Sequence, residues 1–68
     1  MDALRALLAE GRSREAEEAV ERAVAEAVPS QRGRVLQEAG SAALKAGEPR
    51  LAAGWFRRAG ELLPRDPE

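Results

Sequence analysis

The sequence predicts an all-α protein in which four helices form antiparallel pairs that stack as an α-solenoid. Three observations support this prediction. Apolar residues recur every three or four positions, which is the period of an α-helix. The segments between these periodic stretches are short and contain Gly or Pro, the residues that most often end helices. No stretch of the chain alternates apolar and polar residues in the way that a half-buried strand does.

The first two helices are predicted over residues 2–10 and 13–28. Ser13 is a favourable N-cap for the second helix, and Pro29 is expected to stop it. Gly11 suits the left-handed conformation that often follows a helix end. On the second helix, Ala and Val occupy one face and mostly charged residues occupy the other. The apolar side of the first helix consists of Leu4, Leu7 and Leu8.

The third and fourth helices are predicted over residues 30–46 and 49–63. Ser30 is a candidate N-cap for the third helix, and Gly47 suits the position after its end. Pro49 fits the first turn of the fourth helix, where a missing backbone N–H costs nothing. The apolar face of the fourth helix consists of Ala52, Trp55, Phe56, Ala59, Leu62 and Leu63. Short links between consecutive helices imply antiparallel neighbours.

Composition excludes several classes of function. The chain has 68 residues, a net charge of −1 and neither Cys nor His. A single domain over residues 1–68 is expected, without disulfides, metal or other cofactors, or histidine-based catalysis. The balanced charge argues against nucleic acid as a partner. No apolar stretch is long enough to span a membrane and no signal-peptide pattern is present, so a cytoplasmic protein is expected.

The chain repeats itself with a shift of 36 residues. Gly, Ala and larger apolar residues of the first half correspond to similar residues in the second half. The matched pairs are Gly11 with Gly47, Ala16 with Ala52, Val20 with Phe56, and Ala23 with Ala59. Such self-similarity is typical of stacked helical repeats.

Six residues of the second half have the spacing of a known repeat: Gly40, Gly47, Ala52, Phe56, Ala59 and Pro64. On these residues the stretch 33–66 resembles a tetratricopeptide repeat. Residues 1–29 resemble a partial first repeat that matches from Gly11 onward. The chain departs from the family pattern at Ala39, where Leu is typical, and at Ala43, where an aromatic residue is typical.

The resemblance implies a protein–protein interaction module, a scaffold without enzymatic activity. It places a protein or peptide partner on the concave surface formed by the first helix of each pair. Carried over residue by residue, the partner-binding positions are Asp2, Arg5, Arg34, Gln37, Glu38, Ser41 and Lys45. Those members of the family that hold a peptide carboxylate do so with Lys and Asn, and this chain has no Asn and a single Lys.

Self-association is also expected, because fewer than three stacked repeats rarely bury a continuous core. A homodimer joined through the last helix, or a longer repeat array, would cover the apolar residues at its end. The candidate residues are Trp55, Leu62 and Leu63. Phe56 is expected in the core. For Trp55, core packing and an interface position remain equally open.

The sequence also has features of two other functions, DNA binding and acid-based catalysis or metal binding. Ala43, Gly47 and Phe56 have the spacing of a helix-turn-helix, and Arg50, Arg57, Arg58 and Arg65 make the fourth helix basic enough to contact phosphate. Against DNA binding, the early turns of that helix lack polar residues and the second helix is acidic. An enzymatic or Mg²⁺-binding role for Glu15, Glu17, Glu18 and Glu21 is disfavoured because they lie on a solvated helix face beside arginines.

Overall fold

A computed structural model of the protein describes the backbone of residues 2–62 and the side chains of residues 3–62. The described part of the chain is all-helical. It forms α1 (Asp2–Ala9), α2 (Ser13–Glu26), α3 (Pro29–Lys45) and α4 (Pro49–Leu62), with no strand among these residues. The all-α prediction and the four helices are therefore confirmed, with boundaries within two residues of those expected. Leu63, the last residue of the predicted fourth helix, lies outside the described residues.

The N-terminal caps differ from the predicted ones. The N-cap of α2 is Arg12 and that of α3 is Val28, and neither side chain makes a capping hydrogen bond. Ser13 and Ser30 lie inside the helices that they were expected to cap. Pro29 explains the shift at α3, because a proline holds the residue before it in an extended conformation and itself fits the first helical position. Val28 is extended, at φ −64° and ψ 151°.

The two glycine-ended helices close in the same way. Gly11 and Gly47 have φ of 76° and 80°, in the left-handed region that Gly adopts without strain. The N–H of Gly11 donates to the carbonyl of Leu8 at 3.1 Å, and the next N–H, that of Arg12, donates to Leu7 at 2.9 Å. These bonds form a Schellman motif, which satisfies carbonyls that a helix end leaves unpaired.

This backbone pattern recurs 36 residues later. The N–H of Gly47 donates to Leu44 at 3.1 Å, and the N–H of Glu48 donates to Ala43 at 2.8 Å. The start of the following helix also repeats, with bonds from Ala16 to Arg12 and from Ala52 to Glu48 at 2.9 and 3.1 Å. The shift found in the sequence therefore exists in the main-chain hydrogen bonds of the two helix pairs.

The third helix is the centre of the molecule. It packs against α1, α2 and most extensively α4. All four helices contribute to one hydrophobic core, which is rich in alanine because the helices approach closely. The buried residues of that core are Leu4, Leu8, Ala16, Val20, Val24, Leu36, Ala39, Ala42, Ala43, Ala52, Trp55 and Ala59.

The two adjacent aromatic residues differ in burial. Trp55 is 4% exposed and belongs to the core, between Ala52 and Ala59 on the buried face of α4. Phe56 is 36% exposed, so its prediction as a core residue is wrong. Its ring lies against Gly40 of α3, where a Cβ atom would come within 2.7 Å of the ring. No described helix packs on the other side of that ring.

Candidate functional site

A groove of about 530 Å³ lies beside α3 and is closed on one side by Arg5 of α1. Its described lining is mostly polar and charged, with one small apolar residue. The lining residues are Arg5, Arg34, Gln37, Glu38, Ser41, Ala42 and Lys45. An open groove of this kind suits an extended peptide segment better than a small molecule, since ligand pockets for small molecules are concave and largely apolar.

The helical period of α3 places these side chains together. Arg34, Glu38, Ser41 and Lys45 are separated by steps of four, three and four residues, so they line one side of the helix. All four are exposed. The opposite side of α3 is buried in the core, including Leu36 and several small residues. The core therefore fixes which side of α3 faces the groove.

Six of the seven residues predicted for the concave surface line this groove. The seventh, Asp2, is the first residue of α1, and its side chain lies outside the described part of the structure. Ala42 also lines the groove, although it was not among the predicted partner-binding positions. It is buried, yet its side chain forms part of the groove floor. In the sequence, an alanine that belongs to both the core and the groove cannot be distinguished from an ordinary core alanine. This explains why Ala42 was not predicted to line the groove.

A second depression of about 270 Å³ continues the groove along α1. It shares Arg5, Ala42 and Lys45 with the first and adds Ala9 and Ala46. Ala9 is the last residue of α1 and Ala46 is the C-cap of α3, and both give this part of the surface a more apolar lining. A ligand lying along α3 would thus pass from a charged region to a region of small side chains.

Positive charge dominates the groove. Arg5, Arg34 and Lys45 contribute cations, whereas Glu38 is its single described acid. The ion pairs found among the described residues lie elsewhere, between Arg12 and two glutamates and between Arg58 and Glu21. The cationic groups of the groove therefore face solvent without an intramolecular counter-ion in the described structure. Complementarity of charge favours a negatively charged ligand.

The residues predicted for self-association are not all at the surface. Trp55 is buried in the core, so it is not available to a second copy. This burial corrects its assignment to the self-association surface. Of the two positions that the sequence left open for Trp55, the structure has the core position. Leu62 is 50% exposed and remains accessible. Leu63 lies outside the described residues.

The residues that suggested DNA or metal binding are partly engaged elsewhere. Arg58 of α4 donates from Nη2 to Oε1 of Glu21 on α2 at 3.1 Å, and its Nη1 contacts the other carboxylate oxygen. Glu15 pairs with Arg12 at 3.5 Å. Among the side chains of residues 3–62, no three acidic groups lie together so that they could hold a metal ion. Arg50 and Arg57 are exposed, and Arg65 lies outside the described residues.

Comparison with protein-family models, with curated proteins and with solved structures found no match for this chain. None of the four helices in the described part of the chain is both long and apolar enough to cross a membrane. The groove and the packing of the helices are therefore the observations that bear on function.

Proposed function

We propose that the protein is a non-enzymatic interaction module of the tetratricopeptide type, which holds a segment of a partner protein in the groove between α1 and α3. The observation that supports this proposal most strongly is the convergence of six polar and charged side chains on one groove. The resemblance to the repeat family implies the same six positions from the sequence alone. The recurrence of the same backbone bonds 36 residues apart supports two copies of one helix-pair unit.

The partner segment is proposed to be acidic. Three cations without described intramolecular partners surround the groove, and pairing them with carboxylates would align opposite charges across the interface. Arg5 and Arg34 offer planar guanidinium groups that bind carboxylates through two hydrogen bonds. Gln37 and Ser41 add uncharged groups that can donate to or accept from a peptide backbone. Binding by exposed ion pairs is expected to weaken with added salt.

The proposal is tested by fluorescence anisotropy with three labelled peptides, rich in Glu, in Lys and in Ser. The Glu-rich peptide is expected to bind, and the Arg34→Ala/Lys45→Ala double variant is expected to weaken that binding about tenfold or more, since charged hydrogen bonds contribute about 1.5–3 kcal/mol. The melting temperature should stay within error, because both side chains are exposed.

Arg14→Ala/Arg22→Ala is the matched control, because it removes two exposed cations from α2 outside the groove. Its binding should equal that of the wild type. Equal binding by all three peptides, or an unchanged affinity in the double variant, would remove the support for this groove as the partner site.

The helix-turn-helix alternative makes an opposite prediction. A DNA-binding protein would bind random duplex tightly at low salt and lose that affinity steeply as salt is added. We expect no such binding in an electrophoretic mobility shift experiment, because Arg58 is paired with Glu21 and α2 presents an acidic surface. Salt-sensitive binding of duplex DNA would favour the alternative. A cytoplasmic location is part of the proposal, and imaging of a tagged protein tests it.

Self-association completes the proposed function. Stacked helix pairs bury their apolar faces against neighbouring pairs, so a chain with two pairs leaves its outermost faces uncovered. A homodimer or a longer array would cover them. Because Trp55 is in the core, Leu62 is the described residue that is exposed among those predicted for self-association.

A further inference from the structure

One end of the molecule exposes apolar residues on both helices of the second pair. Leu44 of α3 is 55% exposed, and Phe56 of α4 is exposed on the side away from Gly40. Gly60 lies one turn beyond Phe56 on α4, and nothing lies within 4 Å of the position that its Cβ would take. We call Leu44, Phe56 and Gly60 the tail face.

The corresponding residues of the first pair are buried. A shift of 36 residues relates Leu44, Phe56 and Gly60 to Leu8, Val20 and Val24, all members of the core. The two sets occupy matching places, because the backbone bonds that connect α1 to α2 repeat between α3 and α4. The first pair differs in its neighbour, since α3 packs against both α1 and α2. The tail face therefore has the form of a site that a helix occupies elsewhere in the same chain.

The other end of the molecule presents the matching surface. Ala3 and Ala6 of α1 are exposed, and Leu7 is half-buried. We call these three residues the head face. The same shift relates them to Ala39, Ala42 and Ala43 of α3, all members of the core. Small side chains at these positions let helices approach closely, and α1 has two of them at its surface.

We propose that a second copy of this chain places the head face of its α1 on the tail face, in the position that α3 takes on α1 and α2. The proposal rests on the self-association part of the proposed function and is independent of the peptide groove. The occupant is specified by the chain itself, since each residue of both faces has a buried counterpart in the core, and α3 packs on α1 and α2 through an internal interface. The contact is therefore a continuation of that interface.

Such a contact is heterologous, because it joins two different surfaces. It leaves a free head face and a free tail face on every dimer, so association continues into an open array or closes into a ring. Helix α1 matches only residues 38–45 of the longer α3. The contact between copies is thus smaller than the internal one, and association should depend on concentration.

Leu62 provides the competing geometry, a two-fold dimer through the last helix. It follows Arg58 by four residues, and Arg58 contacts Glu21 of α2. Leu62 therefore lies on the flank of α4 towards α2, away from Phe56 and the tail face. Leu62 is 50% exposed, close to the 55% of Leu44. The variants Leu44→Glu and Leu62→Glu are consequently matched in residue type and exposure and differ in the face that they change.

Sedimentation velocity over micromolar to millimolar concentrations tests the proposal. The wild type should associate with rising concentration, and Leu62→Glu should behave in the same way. Leu44→Glu and Ala6→Glu should each remain monomeric, because one lacks the tail face and the other lacks the head face. An equimolar mixture of these two variants should form a species of two chains that does not grow further. Circular dichroism during heating verifies that each variant folds.

Four results would overturn the proposal. The first is a wild type that stays monomeric at all concentrations, as it would if residues 63–68 or an unrelated protein covered the tail face. The second is association that persists in Leu44→Glu. The third is association of Ala6→Glu alone, which would indicate a two-fold contact between tail faces. The fourth is loss of association in Leu62→Glu, which would assign the contact to the last helix. All four leave the anisotropy test of the groove unaffected.

Discussion

The two helix pairs share a pattern but differ in their surroundings. In the first pair, Val20 of α2 is fully buried. Its counterpart in the second pair is Phe56, a larger and more apolar residue that is partly exposed. The difference arises because α3 packs against α1 and α2, whereas no described helix covers the outer side of α3 and α4. Burial in a stacked fold is therefore decided by the neighbouring unit as much as by the residue.

The pairs also divide their side-chain volume differently. At one matched position the first pair has Leu4 and the second has Gly40. At the other matched position the order is reversed, with Val20 in the first pair and Phe56 in the second. The ring of Phe56 lies over Gly40. In the second pair, therefore, a side chain of α4 fills the space that Gly40 of α3 leaves empty.

The largest expected effect separates the two neighbouring aromatic residues. Trp55→Ala should lower the free energy of unfolding by about 3–5 kcal/mol, because it removes a buried aromatic side chain from the core. Phe56→Ala should lower it by less than half as much, since the ring is partly in water and its removal opens a surface instead of a closed cavity. Urea unfolding followed by circular dichroism measures both. Equal losses would contradict the open outer side of the second pair.

An intermediate effect tests the contact between Gly40 and Phe56. In the wild type, Gly40→Ala should lower the free energy of unfolding by about 1 kcal/mol, because the new Cβ meets the ring and overpacking outweighs the gain in helix propensity. In a Phe56→Ala background the same change should raise it by about 1 kcal/mol, since only the gain in propensity remains.

The reversal of sign is the measured quantity, and a double-mutant cycle in urea provides it. Gly54→Ala is the control. Nothing lies within 4 Å of the position of its Cβ, so it should be stabilising in both backgrounds. The same sign for Gly40→Ala in both backgrounds would mean that the ring does not restrict this position.

The smallest expected effect concerns the ion pair between Glu21 and Arg58, which bridges the two pairs. Arg58→Gln should lower the free energy of unfolding by about 0.2–1 kcal/mol, because both side chains are substantially exposed. The loss should shrink in high salt. Arg57→Gln, a change at the adjacent exposed arginine, is the control and should have no effect. A loss above this range, or one insensitive to salt, would indicate that the pair holds the two helix pairs together.

Much of the fold could be predicted because its signals are local. The helical period predicted four helices, and Gly11 and Gly47 predicted the two left-handed helix ends. The resemblance to the repeat family indicated which residues of α3 share the groove, and the helical period explains why they lie on one side. The serine caps were predicted wrongly: the observed N-cap lies one residue before Ser13 at α2, and two residues before Ser30 at α3, where Pro29 takes the first helical position. An N-cap side chain contributes only about 1 kcal/mol to helix stability, so a competing preference of a neighbouring residue easily shifts the first residue of a helix.

The aromatic pair shows where local reasoning stops. Trp55 and Phe56 are adjacent on the apolar face of α4. The sequence favoured Phe56 for the core and left Trp55 open between core and interface, whereas in the structure Trp55 is buried and Phe56 is partly exposed. This order of burial depends on which side of α4 meets α3 and on the absence of a described helix beyond Phe56. These are relations between segments distant in the chain.

The sequence by itself determined the helical class, the number of helices and the glycine ends of two of them, since each depends on residues within a few turns of one another. The 36-residue repeat is likewise visible in the order of the residues alone. Only the tertiary structure decided that Trp55 is buried, that Phe56 covers Gly40 and that Leu44 lies on an open apolar end. The physical reason is that burial depends on what packs against a residue, and the covering helix here comes from another part of the chain.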